Sequence, residues 1–199
     1  NKVVWLYCLK PETINISAYK DEVREYPEIE VIEVILNKEY GLNRIAEIIM
    51  RTIPYPMLLI FKLEDKIRFY VAHQRTSQSD SSKNTIEEFV STDWLGNDSA
   101  LFVKLDIKQM RLTNIYTLYS DMVDAISIYN LSAIMPTDDT VTGAKARELS
   151  AKIEDIEQRI ANLRSKLKKE SQFNRKMELN IEIKRLEQSK NKLLGGDNE

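Results

Sequence analysis

The sequence predicts an α+β fold: a mixed sheet of four or five strands with packing helices, carrying a C-terminal antiparallel coiled-coil helical hairpin. Three observations carry that reading. Short runs rich in β-branched and aromatic residues recur between Lys2 and Trp94. Two stretches, near 41–53 and 113–134, repeat apolar residues at helical spacing. Lys145 to Leu194 contains neither Pro nor Gly and is built from strong helix formers. Of the 199 residues 43% are hydrophobic and 30% charged, which supplies a core and excludes wholesale disorder.

Lys2-Val3-Val4-Trp5-Leu6-Tyr7-Cys8-Leu9 reads as a strand that stops at Pro11. Residues 11–27 are polar with scattered aromatics and read as a loop with room for one helical turn. Glu28 to Leu36 is a second strand. Ile29, Val31, Glu33 and Ile35 share one face, and Glu28, Glu30, Ile32, Val34 and Leu36 the other. Apolar residues on both faces of its second half predict a central strand covered on both sides.

Asn37 offers a cap for the helix whose stripe is Leu42, Ile45, Ala46, Ile49 and Ile53, and Pro54 and Pro56 end that helix. Met57 to Phe61 is a buried strand, Glu64-Asp65-Lys66 a turn, and Ile67 to Ala72 the returning partner of a hairpin. Gln74 to Asn84 is Ser-rich and reads as a mobile loop, and a fifth strand runs from about Thr85 to Trp94. Ile115, Leu118, Met122, Val123, Ile126 and Tyr129 mark the second helix, which Pro136 to Thr140 closes.

Within the tail, Leu149, Ile153, Ile156, Ile160, Leu163 and Leu167 alternate by four and three, an a/d seam and the expected protein interface. Leu179, Ile183, Leu186 and Leu193 form a second seam, with Lys190 in its open slot. The two are out of phase, so a break near Glu170–Lys176 predicts two helices folded back on each other. The expected organisation is a body at 1–135, a linker at 136–144, the helical hairpin at 145–194 and a disordered tail at 195–199.

The landmarks Trp5-Leu6-Tyr7, Lys10-Pro11-Glu12-Thr13-Ile14-Asn15, Glu28 to Val34, Ile53-Pro54-Tyr55-Pro56 and Gln172-Phe173-Asn174-Arg175-Lys176 stand in order along nearly the whole chain. In these the sequence resembles the uncharacterised bacterial domain-of-unknown-function family 4391. The resemblance implies a cytosolic bacterial protein without an established activity. It also implies a gene often placed near helicase and methyltransferase genes of restriction or anti-phage type.

Composition narrows the chemistry. Cys8 is the only cysteine and His73 the only histidine, which excludes disulfide frameworks, Cys clusters and His-rich metal sites. No metal or cofactor is expected. Five glycines, none spaced as a phosphate loop, exclude the common nucleotide-binding motifs. No apolar run reaches the length of a membrane span, so no spanning helix is expected, and the cytoplasmic location is what the family resemblance implies. Cys8 reads as a small buried hydrophobe, His73 as structural or exposed, and Tyr55 as fixing the turn between its two prolines.

Three functional readings remain. The first is a non-enzymatic interaction subunit that docks a protein partner or a second copy through the tail, with a homo-oligomer expected. The second is a restriction-type nuclease. It would use Glu33 and the (D/E)xK triplet Glu64-Asp65-Lys66 to hold a metal ion and steady a water; against it, that triplet sits on a turn. The same Glu33 could instead be buried and paired with an Arg such as Arg44 or Arg51, or turned outward by a bulge. The third is weak nucleic-acid contact by the hairpin tip, where Arg164, Lys166, Lys168, Lys169, Arg175 and Lys176 crowd together and Phe173 could stack or cap the turn. From Lys145 onward 14 basic residues face 10 acidic, while the preceding part holds 15 against 21. The acidic body therefore opposes a bulk attraction to polyanions.

Overall fold

The computed structural model describes residues 1–76 and 84–195. Five strands form the main sheet: β1 (Lys2–Leu9), β4 (Ile29–Ile35), β5 (Met57–Leu63), β6 (Lys66–Thr76) and β7 (Asn84–Ser91). They lie side by side in that order. β1 pairs antiparallel with β4, and β5–β6 and β6–β7 are antiparallel as well. Among the described residues, β4 and β5 are the one parallel pair of this sheet. Their connection is the helix α2 (Leu42–Thr52), as a parallel pair needs a crossover. The sheet is mixed and the fold α+β, as the strand and helix patterns predict.

The apolar alternation explains the packing. Ile32, Val34 and Leu36 join Met57, Leu59, Phe61, Tyr70 and Ala72 on one sheet face. Leu42, Ala46 and Met50 of α2 bury against them, flanked by Ile45, Ile49 and Ile53. Phe69 and Val71 alternate to the opposite face and are buried too, and Phe69 meets Phe102 of the short helix α3 (Leu101–Lys104) edge-on, centroids 6.3 Å apart. β4 sits between two strands as expected. Its second face is less covered than the sequence suggested: Val31 and Glu33 are half-buried and Ile35 is 37% exposed.

Several boundaries differ from the sequence reading, each for a local reason. The segment 11–27 holds one helical turn, α1 (Pro11–Ile14), and a small ladder of β2 (Tyr19–Lys20) with β3 (Glu25–Tyr26). Gly41, in the left-handed region at φ 64°, takes the N-cap position of α2 in place of Asn37. Lys66 opens β6, leaving a two-residue turn with Glu64 at φ 53°. β6 continues through Gln74 to Thr76 and β7 starts at Asn84, so both ends of the expected loop are strand; its centre, 77–83, lies outside the described residues. β7 ends at Ser91, and beyond it the chain meets β6 through Thr92, whose amide donates to the Phe69 carbonyl, and through an isolated bridge of Leu95 with Ile67.

The chain divides into two compact units, Asn1–Ile126 and Ser127–Glu199. The helix α4 (Ile115–Ser132) opens in the first and ends in the second, with the Thr117 amide donating to Asn114 Oδ1 at its start. The second unit continues with α5 (Gly143–Lys169) and α6 (Phe173–Leu193). The break between these two falls at 170–172, where the two seams lose phase. Thr142 Oγ1 caps α5 by accepting from the Lys145 amide. Residues 196–199 of the expected disordered tail lie outside the described residues.

Candidate functional site

The densest group of reactive side chains stands where β1 meets the start of β4. A register shift between Trp5 and Tyr7 places a bulge at Leu6. Before it Val3 and Trp5 lie opposite Val34 and Ile32, and after it Cys8 lies opposite Glu30. Strict alternation would send Cys8 to the other face from Trp5; the extra residue turns it back. Glu28, two residues before Glu30, shares that face. Ligand atoms of Cys8, Glu28 and Glu30 all lie within 4.8 Å of one another.

The thiol donates to Glu28 Oε2 at 3.3 Å. Glu30 is 2% exposed, and its Oε2 has no hydrogen-bond partner. Burial raises the Glu30 carboxyl above its ordinary range, and the charge of Glu28 adds to the rise. The Cys8 thiol is pushed up to about 11, first by burial, then by its bond to Glu28 and the charge of Glu30. Lys10 pulls the other way too weakly to offset this. Cys8 is therefore a protonated thiol beside two carboxyls, neither inert core filler nor an activated nucleophile. The sequence reading missed the group because Cys8 and Glu30 are far apart in the chain and meet only through the bulge.

The residues of the nuclease reading are not brought together. Glu33 lies opposite Ile60, and Glu64 sits four residues further, beyond the strand end, about 13 Å away at 3.3 Å per residue. Glu33 is half-buried, and Arg44 and Arg51 both pair with Glu47, so neither serves Glu33. His73 Nδ1 lies 3.0 Å from the Tyr26 hydroxyl. Tyr55 holds its turn through its carbonyl, which accepts from Gln74 Nε2 at 3.0 Å.

The seam residues are placed inside the second unit. Ile160 and Leu163 are buried with Ile183, and Ile156, Leu167, Leu179 and Leu186 pack around them. Leu149 and Ile153 join Ile128, Leu131, Ala146 and Leu193. Arg164–Glu187 at 2.7 Å and Glu157–Lys190 tie the helices in antiparallel order, and Lys190 in the second seam pairs with Glu157. The face expected to meet a partner is thus covered by α6 of the same chain. At the tip Arg175 pairs with Glu178, while Lys166, Lys168, Lys169 and Lys176 form no ion pair among the described residues and are exposed. Phe173 opens α6 at 73% exposure.

Another surface went unread in the sequence. On β1, an edge strand whose one strand neighbour among the described residues is β4, Val3, Trp5, Leu6 and Tyr7 are 48 to 66% exposed. No helix among the described residues is long and apolar enough to cross a membrane. The family described as "Domain of unknown function (DUF4391)" matches residues 1–189. No curated protein and no solved structure matches the chain.

Proposed function

The chain belongs to this family of unknown function, and from its surfaces we propose that it is a non-enzymatic interaction subunit whose docking surface is the open edge of β1. The observation that carries the reading is the exposure of apolar side chains on both faces of this edge strand, Val3 and Trp5 on the face of Val34 and Ile32, and Tyr7 on the face of Val31 and Ile35. Isolated exposed apolar residues are ordinary, but several on one edge strand, a Trp and a Tyr among them, mark a contact edge. The bulge at Leu6 bends the strand, which favours packing of side chains over a long added ladder.

The occupant is a second copy. A two-fold axis through the patch matches like surface to like, the arrangement that self-association requires. It also sets the Lys2 end of each β1 beside the end of the other that carries Glu12 and Glu28. The helical seam serves a different purpose in this reading. Two seams of apolar a/d residues and the crossing ion pairs support an antiparallel coiled-coil hairpin closed within one chain. The context implied by the family resemblance is an accessory role beside restriction-type enzymes in the cytoplasm.

Light scattering at tens of micromolar protein tests the reading. A dimer is expected, and Val3→Lys with Tyr7→Lys converts it to a monomer with an unchanged circular dichroism spectrum, because both side chains are half exposed or more. A monomeric parent protein, or a dimer that survives the double change, overturns the β1 assignment.

A further inference from the structure

We propose that Cys8, Glu28 and Glu30 form a binding site for one divalent cation of borderline softness, with Zn²⁺ the best match, held by the Cys8 thiolate and one oxygen from each carboxylate. The mutual distances are close to those of a bound ion: ligand atoms lie within 4.8 Å of one another, so small side-chain rotations bring them to one cation at the usual 2.0–2.3 Å bond lengths. The donor set suits it as well. One sulfur with two carboxylates selects Zn²⁺ over Mg²⁺ or Ca²⁺, which prefer all-oxygen shells with more ligands.

The second, independent sign is Glu30 itself. A carboxylate 2% exposed with one oxygen lacking any hydrogen-bond partner is costly to keep, and cation coordination is a direct way to satisfy it. The bulge at Leu6 is the device that assembles the site, because it brings Cys8 onto the Glu30 face. Proton balance is simple. The thiol proton now directed at Glu28 leaves to solvent as sulfur takes the cation, and any carboxyl proton leaves likewise. No oxidant or reductant takes part. Three protein ligands leave a fourth position for water, and the bound ion clips the edge strand β1 to β4.

Co²⁺ titration of the intact, reduced, chelator-treated protein tests the site through the near-ultraviolet thiolate-to-cobalt charge-transfer band, with Zn²⁺ competition as the second measurement. One Co²⁺ per chain at micromolar affinity is expected, with the band displaced by stoichiometric Zn²⁺ and untouched by millimolar Mg²⁺. Cys8→Ser removes the band. Glu30→Gln and Glu28→Gln each weaken binding at least tenfold while the circular dichroism melt still shows one folded protein. Absence of the band in the parent protein overturns the site. So does a band whose titration is unchanged in both glutamine variants, since the thiol would then bind metal alone. If Glu30→Gln fails to fold, the half-buried Glu28→Gln carries the same decision.

Discussion

The hydroxyl of Tyr26 stands 3.0 Å from His73 Nδ1, at the point where β6 slips register against β7. The register shift falls between Ala72 and Gln74, and the same hydroxyl accepts the Gln74 amide proton at 3.0 Å and lies 3.2 Å from the Gln74 carbonyl. Tyr119 of α4 does the matching work two residues earlier. Its hydroxyl accepts the Ala72 amide proton and reaches the carbonyls of Met57 and Ala72. Two buried phenols thus hydrogen-bond the peptide groups that an irregular strand leaves over. Burial raises both phenols far above the ordinary tyrosine value, so both stay neutral.

Removing one of those hydroxyls leaves buried peptide groups short of a partner. Tyr26→Phe keeps the ring contacts and is expected to lower stability by about 1–3 kcal/mol, the cost of an unsatisfied buried group. Urea unfolding followed by tryptophan fluorescence measures it. A midpoint equal to the parent's shows that water replaces the hydroxyl.

The helix pair rests on few side chains. Ile183 is 6% exposed and is the buried residue of α6, facing Ile160 and Leu163. Ile183→Ala is expected to destabilise the second unit by roughly 2–5 kcal/mol, seen as early loss of helical signal on heating. Ile156→Asp with Ile160→Asp is expected to open the pair rather than to dissociate a dimer. Light scattering on that variant separates the two outcomes.

Acid weakens the turn between α5 and α6. Glu170 accepts the amide protons of Ser171 and Gln172, and these bonds hold its carboxyl below the ordinary glutamate value. A carboxylate lowered in the folded state stabilises above its unfolded pKa, and that contribution vanishes as pH falls through the folded one. Glu170→Gln is therefore expected to melt below the parent at pH 7 and together with it near pH 3. Parallel melts at both values that differ equally sink the assignment.

The tip cations give a salt signature. Four phosphates met by Lys166, Lys168, Lys169 and Lys176 would give a log-affinity against log-salt slope of about −3.6 on duplex DNA. The acidic body works against binding, so the expected result is weak, sequence-independent association at low salt that is gone at physiological ionic strength. Changing the four lysines to Glu abolishes it. Tight binding that survives this change places any nucleic-acid surface elsewhere.

Legibility followed sequence distance. The strands from Met57 to Ala72 and the stripe Leu42 to Ile53 were readable because periodicity is local, and the tail seams located the α5–α6 break by phase alone. What stayed hidden depends on residues far apart in the chain. Nothing local marks the Leu6 bulge, so Cys8 read as core filler and Glu33, rather than Glu30, as the carboxylate of interest. The strand Glu25–Tyr26 is too short to carry a period and exists because Tyr26 is anchored at β6. The seam residues pack within the second unit, but spacing alone does not say whether the partner helix belongs to the same chain.

The lone parallel pairing of β4 with β5 has a kinetic meaning. β5 and β6 are joined by a two-residue turn and can zip together from their ends, whereas β4 can reach β5 only after the chain has run through α2 and come back. Loop closure must be met before that ladder returns any contact energy, so the helix and the parallel ladder are expected to dock in one late, slow event. Until then Met57, Leu59 and Phe61, all 0% exposed in the finished protein, stand open to solvent on a paired hairpin. The interval before α2 docks is thus the time when a crowded, half-folded chain is most exposed to aggregation.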